Sequence, residues 1–251
     1  MSNVYSQCWA RLPLEGACNV RELGGYPTAS GAMTQYHRFL RSDSLGSLTP
    51  ADERFLHDYG VRAVIDLRDQ SEVAFDPDRP IAPDVTCVNH PLLSLDIADQ
   101  EEVRRRFAVQ PPSVTEIYDL ILGSKAGIRG CFEFIAAQPK DACIVFHCAV
   151  GKDRTGTLAL LLMALAGCDE WDCVASYMQT RAHLSRNEWY LSQFDSAAKK
   201  GPDHNMLDSP FEVAVHVWNR IEQVGGIEEF LRSCGISDEV MDAVRAHLLE
   251  A

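Results

Sequence analysis

The chain has 251 residues, 46% of them hydrophobic and 24% charged, so it can bury a substantial core, which excludes a disordered or collagen-like protein. Its 36 acidic and 23 basic residues give a formal net charge of −13, which disfavours binding to nucleic acid. The longest apolar run, Leu158–Ala166, is shorter than the roughly 20 residues needed to cross a bilayer. We therefore expect a cytoplasmic protein without integral membrane association, and the sequence leaves an unconventional route of secretion open.

The nine cysteines and eight histidines show no pattern typical of a disulfide framework or a metal site. The number of cysteines is odd, and neither CxxC nor HExxH spacing occurs. We expect most cysteines to be reduced residues of the core, and we expect neither a metal nor another cofactor.

The first half of the chain predicts alternating helices and strands. Thr49 can cap a helix over Pro50–Tyr59, and Gly60 can end it. The β-branched, apolar run Val61–Leu67 predicts a strand, and Val85–His90 predicts a second one. This alternation is typical of a mostly parallel sheet.

A third strand is predicted over Cys143–His147, after an insertion of about residues 96–140 that is rich in helix formers. The insertion predicts three helices, over Glu101–Ala108, Val114–Leu122 and Ile128–Ala137. The expected fold is α/β, with a central, mostly parallel sheet flanked by helices, in a single domain over residues 1–251. The insertion is a candidate lid over the active-site face.

The second half of the chain is predicted to be helical. Thr157–Ala166 is apolar on every side and is followed by Gly167, which predicts a helix buried in the core. The polar stretch Lys199–Ser209 predicts a mobile loop. The remaining predicted helices are Trp171–Arg186, Pro210–Gln223, Ile227–Leu231 and Ser237–Leu249, the last capped by Ser237.

The loop between the third strand and the buried helix reads HCAVGKDRTG. Cys148 faces the amino terminus of a helix beside Lys152 and Arg154, and this positive surrounding is expected to lower the pKa of the thiol. Five residues separate Cys148 from Arg154, enough to wrap backbone N–H groups around a tetrahedral anion. Gly151 and Gly156 permit backbone conformations or close approaches that a side chain would obstruct. The loop thus predicts an activated nucleophile in a phosphate cradle.

The loop has two other interpretations. Cys148 taken alone is an ordinary core cysteine, and Arg154 a surface residue near a helix start. A nucleotide-binding Walker A loop is excluded, because Phe146 and Asp153 occupy positions that require glycine and serine or threonine.

The string HCAVGKDRTG resembles the signature of the cysteine-dependent protein tyrosine phosphatase superfamily, HCxxGxxR followed by serine or threonine. It is most similar to the bacterial and fungal branch with HCxxGKDRTG, which includes dual-specificity and phosphoinositide-active members. The resemblance covers nearly the whole chain. It extends to Asn19–Gly25 (NVRELGG), Leu40–Ser42 (LRS), Ile65–Arg68 (IDLR) and the carboxy-terminal segment.

The resemblance implies a phosphatase-like fold and a two-step, metal-independent reaction. In it the Cys148 thiolate attacks phosphorus, Arg154 holds the phosphoryl oxygens, Thr155 assists release of the thiolate and His147 hydrogen-bonds around the nucleophile. The other residues expected to bind substrate are Ala149, Val150, Gly151, Lys152 and Gly156.

The general acid is less clearly indicated, because no WPD motif occurs. The resemblance suggests Asp153 inside the loop, with Asp66 at the end of the neighbouring strand as the alternative. Lys152 and Arg154 favour the ionised form of Asp153, which is unfavourable for an acid unless bound phosphate opposes it. We expect Arg68 and Glu72 to form structural ion pairs.

The implied substrate is a phosphorylated protein or a phosphoinositide, and the charge of Lys152 beside the cradle would suit a multiply phosphorylated molecule. A sulfurtransferase or an arsenate reductase also uses a cysteine in an anion-binding loop. A non-catalytic module that binds a phosphorylated ligand is the alternative outside the enzymes. The sequence does not indicate an oligomeric state.

Overall fold

The computed structural model describes residues 10–93, 109, 110, 112–186, 190–192 and 210–249. The strands are β1 (Arg21–Glu22), β2 (Phe39–Ser42), β3 (Val61–Asp66), β4 (Thr86–Asn89) and β5 (Cys143–His147). The helices are α1 (Pro50–Tyr59), α2 (Gln70–Phe75), α3 (Val114–Gly123), α4 (Lys125–Ala136), α5 (Asp153–Ala166), α6 (Glu170–Leu184), α7 (Phe211–Gln223), α8 (Ile227–Ser233) and α9 (Asp238–Leu249).

The five strands form one sheet in the order β1-β2-β5-β3-β4. The β2–β5, β5–β3 and β3–β4 pairs are parallel, and only the β1–β2 pair is antiparallel among these strands. The predicted α/β class with a mostly parallel sheet is therefore confirmed. Strand β5 lies at the centre, so whatever follows its last residue, His147, is at the middle of the carboxyl edge.

Both faces of the sheet are covered, which explains why β5 is apolar throughout. Ile144 and Phe146 point into the larger core, which contains the buried residues of the helices from α3 onwards. Cys143 and Val145 point to the opposite face, into the core formed with α1 and the amino-terminal segment. A central parallel strand buried on both faces is expected to be a continuous hydrophobic run.

The locally encoded elements agree with the sequence predictions. Helix α1 is capped by Thr49, whose side chain accepts from the backbone N–H of Asp52, and Gly60 ends it in the left-handed region at φ 109°. The three predicted strands are present, with ends that differ by at most one residue at either end. Helix α9 begins one residue after its cap Ser237.

Two features differ from the predictions. Strands β1 and β2 were not predicted, although β2 pairs directly with the central strand. Helix α5 begins at Asp153, four residues before the predicted start at Thr157, because the N–H of Gly156 donates to the carbonyl of Lys152 at 2.8 Å. The second half of the phosphate-loop string is thus the first turn of the helix.

Helices α3 and α4 of the insertion are packed into the core. Helix α3 packs against α5 and α7, and α4 packs against α9. Ile121, Ile128 and Phe132 are fully buried. The apolar faces of these two helices are covered by the large core, and whether the insertion acts as a lid stays a prediction. The helix predicted over Glu101–Ala108 lies outside the described residues, as does the predicted loop Lys199–Ser209.

Within the described part of the chain, no helix combines the length and the apolar character needed to cross a bilayer. The longest helix, α6 with 15 residues, carries acidic residues in its first turn and basic residues in its last.

Candidate active site

The loop from Cys148 to Lys152 joins the central strand to the buried helix α5. It therefore lies both at the carboxyl edge of the sheet and at the positive end of a helix dipole. Cys148 and Thr155 are buried at this junction. A strand-to-helix loop in this position presents backbone N–H groups to an anion.

The carbonyl groups of the loop are bound from outside. The backbone N–H of Ser44 donates to the carbonyl of Ala149 at 3.0 Å. The side-chain amide of Asn19 donates to the carbonyls of Val150 at 2.9 Å and Gly151 at 3.1 Å. Arg41 donates to the Gly151 carbonyl as well, at 3.0 Å. Because these carbonyls are engaged on the outer side, the peptide N–H groups are left to the inner side, where a phosphoryl group would lie.

Gly151 is required by this arrangement. Its φ of 68° lies in the left-handed region, and a Cβ at this position would lie 2.4 Å from the carbonyl oxygen of Ser42. Any side chain here would push the loop away from strand β2.

A second buried arginine supports Asn19. Arg21 donates through Nη1 to the side-chain and backbone oxygens of Asn19, and through Nη2 to the backbone oxygen of Ser176 at 3.0 Å and to Thr180 Oγ1 at 2.8 Å. The loop is thus connected through Asn19 and Arg21 to helix α6.

Arg41, the other buried arginine at the loop, stays charged. Burial lowers the pKa of Arg41 to about 10, which still leaves it cationic at neutral pH.

The environment of Cys148 favours the thiolate. Burial by itself raises the pKa of the thiol, but the charge of Arg154 and hydrogen bonds from Thr155 act against it more strongly. The net result is a pKa below the ordinary value for cysteine. In contrast, burial raises the pKa of Cys131, Cys143 and Cys173. Cys148 therefore differs from these structural cysteines in the way expected of a nucleophile.

Arg154 forms an ion pair with Glu72, a residue that was predicted to form a structural ion pair. Both terminal nitrogens of its guanidinium donate to Glu72, with Nη2 at 2.8 Å from Oε1. Asp69 caps helix α2 by accepting from the N–H groups of Ser71 and Glu72, and this cap sets Glu72 in the first turn. A guanidinium has five N–H donors, so three remain, including the N–H on Nε. Glu72 thus orients Arg154 while leaving donors for a phosphate.

His147 belongs to a buried charge network behind the loop. Its Nε2 lies 2.8 Å from Asp78 Oδ2 and 4.0 Å from Asp66 Oδ1. Arg68 donates to both carboxylates, at 2.8 Å each. Burial acts to lower the pKa of His147, but the contact with Asp78 outweighs it and the pKa lies above the ordinary value.

Asp66, Asp78 and His147 place one potential ligand atom each within 4.8 Å of the others, which makes them a candidate metal site. The guanidinium of Arg68 already occupies the two carboxylates and would repel a cation. The group fits an ion-pair network better than a metal site.

The two candidate acids lie in different surroundings. Asp66 is buried and paired with Arg68, whose Nε lies 2.9 Å from its Oδ1. The side chain of Asp153 is about one-third exposed, and its Oδ1 accepts from the hydroxyl of Tyr118 at 2.5 Å. Of the two, only Asp153 is partly open to solvent, and it follows the loop directly as the first residue of α5.

Lys152 differs from the expectation drawn from its charge. Its side chain is 3% exposed, and its Nζ lies 3.4 Å from Asp153 Oδ1. The ammonium group faces the candidate acid and is shielded from solvent, so it does not supply an exposed positive charge for a second phosphate.

The structure brings the predicted loop residues His147 to Gly156 together, and adds residues that were not predicted as part of the site: Asn19, Arg41, Ser44, Glu72 and Tyr118. Asn19 and Arg41 lie in the NVRELGG and LRS segments, so a signal for them was present in the sequence. Glu72 and Tyr118 carried no such signal.

Several known proteins are similar to this chain. The profile of the tyrosine phosphatase family matches residues 12–250. The tyrosine-protein phosphatase of Nostoc commune is 31% identical over 230 residues, covering 85% of this chain and 74% of its own. The triple specificity protein phosphatase PtpB of Mycobacterium tuberculosis is 26% identical, covering 94% of this chain and 98% of its own. A crystal structure of P. aeruginosa TpbA aligns with a TM-score of 0.46 at 11% identity, over 92% of this chain and 98% of that one.

Replacing Glu72 by alanine is expected to weaken phosphate binding at Arg154. The guanidinium would lose two charge-assisted hydrogen bonds that orient it, so we expect the affinity for tungstate to fall by about tenfold. Isothermal titration calorimetry measures this. The matched control is Glu228→Ala, which breaks a surface ion pair in which Glu228 Oε1 lies 2.7 Å from Arg245 Nη2. Unchanged tungstate affinity in Glu72→Ala would show that Arg154 needs no such support.

The His147–Asp78 pair predicts a pH-dependent part of the stability. Folding raises the pKa of His147 above its ordinary 6.5. The stabilisation is therefore complete below that pH, and is lost as pH rises through the raised pKa. Asp78→Asn should remove about 1.5–3 kcal/mol at pH 6 and less at higher pH, where the wild type has also lost the contribution.

Urea unfolding of both proteins from pH 5.5 to 9 checks this prediction. The control is Asp119→Asn, which alters a partly exposed pair in which Asp119 Oδ1 lies 3.0 Å from His216 Nε2. A free-energy difference between wild type and Asp78→Asn that does not vary with pH would contradict the prediction.

Proposed function

The chain belongs to the tyrosine phosphatase family, and we propose that it hydrolyses phosphomonoesters through a cysteinyl-phosphate intermediate on Cys148. Its membership of this family makes the chain a phosphatase. The observation that carries it is the lowered pKa of a single buried thiol, opposite Arg154, in a loop whose carbonyls are bound from outside. A nucleophile and an anion site are thereby placed together.

In the first step the Cys148 thiolate attacks phosphorus. The S–P bond forms, the bond from phosphorus to the leaving oxygen breaks, and its electron pair goes to that oxygen. Arg154 and the loop N–H groups hold the three other phosphoryl oxygens and stabilise the charge that they carry in the transition state. Since Glu72 already orients Arg154, little reorganisation is needed.

The leaving oxygen takes a proton from Asp153 in this proposal. Asp153 directly follows the loop and is partly exposed, whereas the carboxylate of Asp66 is buried against Arg68. In the second step Asp153, now ionised, accepts a proton from water. The water oxygen bonds to phosphorus, the S–P bond breaks, and the thiolate leaves with hydrogen bonds from Thr155.

We assign phosphotyrosine in proteins as the substrate rather than a phosphoinositide. A cleft of about 520 Å³ beside the loop is lined by Phe75 and Tyr190, by three carboxylates and by one cation: Asp43, Glu72, Asp76 and Arg68. Phe75 is 92% exposed, so it is available to an aromatic ring. The carboxylates would repel additional phosphates on an inositol ring. A panel of phosphopeptides and phosphoinositides tests this preference for phosphotyrosine. The same panel shows whether the chain has dual specificity.

Replacing Cys148 by serine is expected to abolish turnover while phosphate-analogue binding survives. Serine preserves the shape, but its hydroxyl is not ionised at neutral pH, so we expect kcat for p-nitrophenyl phosphate to fall by at least about 10³-fold. Assays run with EDTA present, and tungstate binding is measured in parallel. Cys87→Ser, at an exposed cysteine, is the matched control.

The outcome also separates the alternatives. Turnover retained by Cys148→Ser would remove Cys148 from the mechanism. A wild type that binds tungstate without hydrolysing any phosphomonoester would favour a non-catalytic binding module. Turnover of thiosulfate or arsenate alone would favour a sulfurtransferase or an arsenate reductase.

Replacing Asp153 by asparagine is expected to slow poor leaving groups selectively. Only a poor leaving group needs the proton, so kcat for phenyl phosphate should fall by about 10²-fold while kcat for p-nitrophenyl phosphate falls much less. Asp66→Asn is the comparison. If Asp66→Asn shows the selective loss and Asp153→Asn does not, the assignment of the acid is reversed.

A further inference from the structure

Asp153 is joined to the helical insertion by a hydrogen-bonded pair of tyrosines. The hydroxyl of Tyr118, on helix α3, lies 2.5 Å from Asp153 Oδ1. The hydroxyl of Tyr177, on helix α6, lies 2.7 Å from that of Tyr118. Two helices that the reaction itself does not use thus meet at the carboxylate proposed as the acid.

The chemistry of the three groups fixes the direction of these hydrogen bonds. An ionised carboxylate only accepts, and a tyrosine hydroxyl has one hydrogen to donate. Tyr118 therefore donates to Asp153 and accepts from Tyr177. Burial raises the pKa of both phenols well above the ordinary value, so both hydroxyls keep their hydrogens across the pH range of an assay.

The rings are held where this chain of donors needs them. Tyr118 and Tyr177 are 1% and 2% exposed, and their rings pack edge to face with centroids 6.2 Å apart. Gly156 allows the approach, because a Cβ there would lie 2.9 Å from the ring of Tyr177. Because the packing is fixed, a simple change of rotamer cannot move the Tyr118 hydroxyl off the carboxylate or the Tyr177 hydroxyl off Tyr118.

Both contacts described for this carboxylate fall on the same oxygen. Oδ1 accepts from Tyr118 and lies 3.4 Å from the ammonium group of Lys152. An oxygen that already faces two donors is the less favourable place for a further proton. When Asp153 is protonated, the proton is therefore directed to Oδ2.

We propose that Tyr118, supported by Tyr177, is a positioning residue that holds Asp153 through Oδ1 and directs the acidic proton to Oδ2. The proposal rests on the proposed function, in which Asp153 is the acid. In the first step the proton on Oδ2 passes to the leaving oxygen as its bond to phosphorus breaks. Tyr118 itself gives up no proton, and its hydrogen bond to Oδ1 persists throughout.

Tyr118→Phe tests this by its dependence on the leaving group, a readout that a general loss of structure would not produce. The ring and its packing remain, and only the hydroxyl is removed. We expect kcat for phenyl phosphate to fall about tenfold, with kcat for p-nitrophenyl phosphate changed by less than about twofold. Tyr177→Phe should give a smaller selective loss, since it acts one hydrogen bond further away.

The matched control is Tyr59→Phe. Tyr59 is also buried and its hydroxyl donates to a carboxylate, Glu22, at 2.6 Å, but this pair is not part of the loop. We expect Tyr59→Phe to reduce stability without any dependence of kcat on the leaving group. Thermal unfolding of all variants shows how much stability each lost hydroxyl removes.

A double-mutant cycle separates this inference from the proposed function. In the Asp153→Asn background, Tyr118→Phe should have no further effect on the phenyl phosphate rate, because the acid it positions is gone. If Asp153→Asn is selective for poor leaving groups but Tyr118→Phe slows both substrates equally, the positioning role is overturned alone. If Asp153→Asn shows no selectivity, the acid assignment and the positioning role both fail.

Discussion

The outward attachment of the loop carbonyls is the constraint on which the site depends. Ser44, Asn19 and Arg41 bind the carbonyls of three consecutive residues, Ala149 to Gly151, and so leave the peptide N–H groups facing inward. These donors come from the segments around β1 and β2. The antiparallel edge of the sheet therefore has a direct role in the site. A chain with a net charge of −13 can still attract an anion here, because the attraction is local.

The charged groups around the loop are arranged in two separate networks. On the side of helix α2, Glu72 orients Arg154 and leaves donors free for a phosphate. Behind the loop, Arg68 lies between Asp66 and Asp78, and Asp78 binds His147. Buried charges are costly unless paired, and each network pairs its own. Asp66 is thus held by Arg68, whereas Asp153, which we propose as the acid, is held by Tyr118 and Lys152.

Features encoded locally were predictable from the sequence, whereas the contacts that connect distant segments were not. The cap at Thr49, the left-handed Gly60 and the apolar strand Cys143–His147 each depend on neighbouring residues, and each was found as predicted. Strands β1 and β2 are two and four residues long, and β2 contains the polar residues Arg41 and Ser42. Neither has the alternation that predicts a strand, because their polar side chains are buried in hydrogen bonds with other segments. Arg41 donates to Gly151, Arg21 donates to Ser176, and Glu22 accepts from Tyr59.

The same distinction applies to the site. The proposed nucleophile and cradle both lie in the ten-residue string from His147 to Gly156, so this part of the candidate site could be predicted from local sequence. Glu72 and Arg154 are 82 residues apart in the sequence, and Tyr118 and Asp153 are 35 residues apart, so neither contact could be predicted from local sequence. The burial of the Lys152 ammonium beside Asp153 could not be predicted from its charge.

A crystal structure of the wild-type protein with vanadate tests the central claim most directly. The account predicts vanadium bonded to Cys148 Sγ, with equatorial oxygens accepting from the loop N–H groups and Arg154, and the Ala149 to Gly151 carbonyls still bound outward. Vanadate bound elsewhere, or loop carbonyls turned toward the anion, would contradict it.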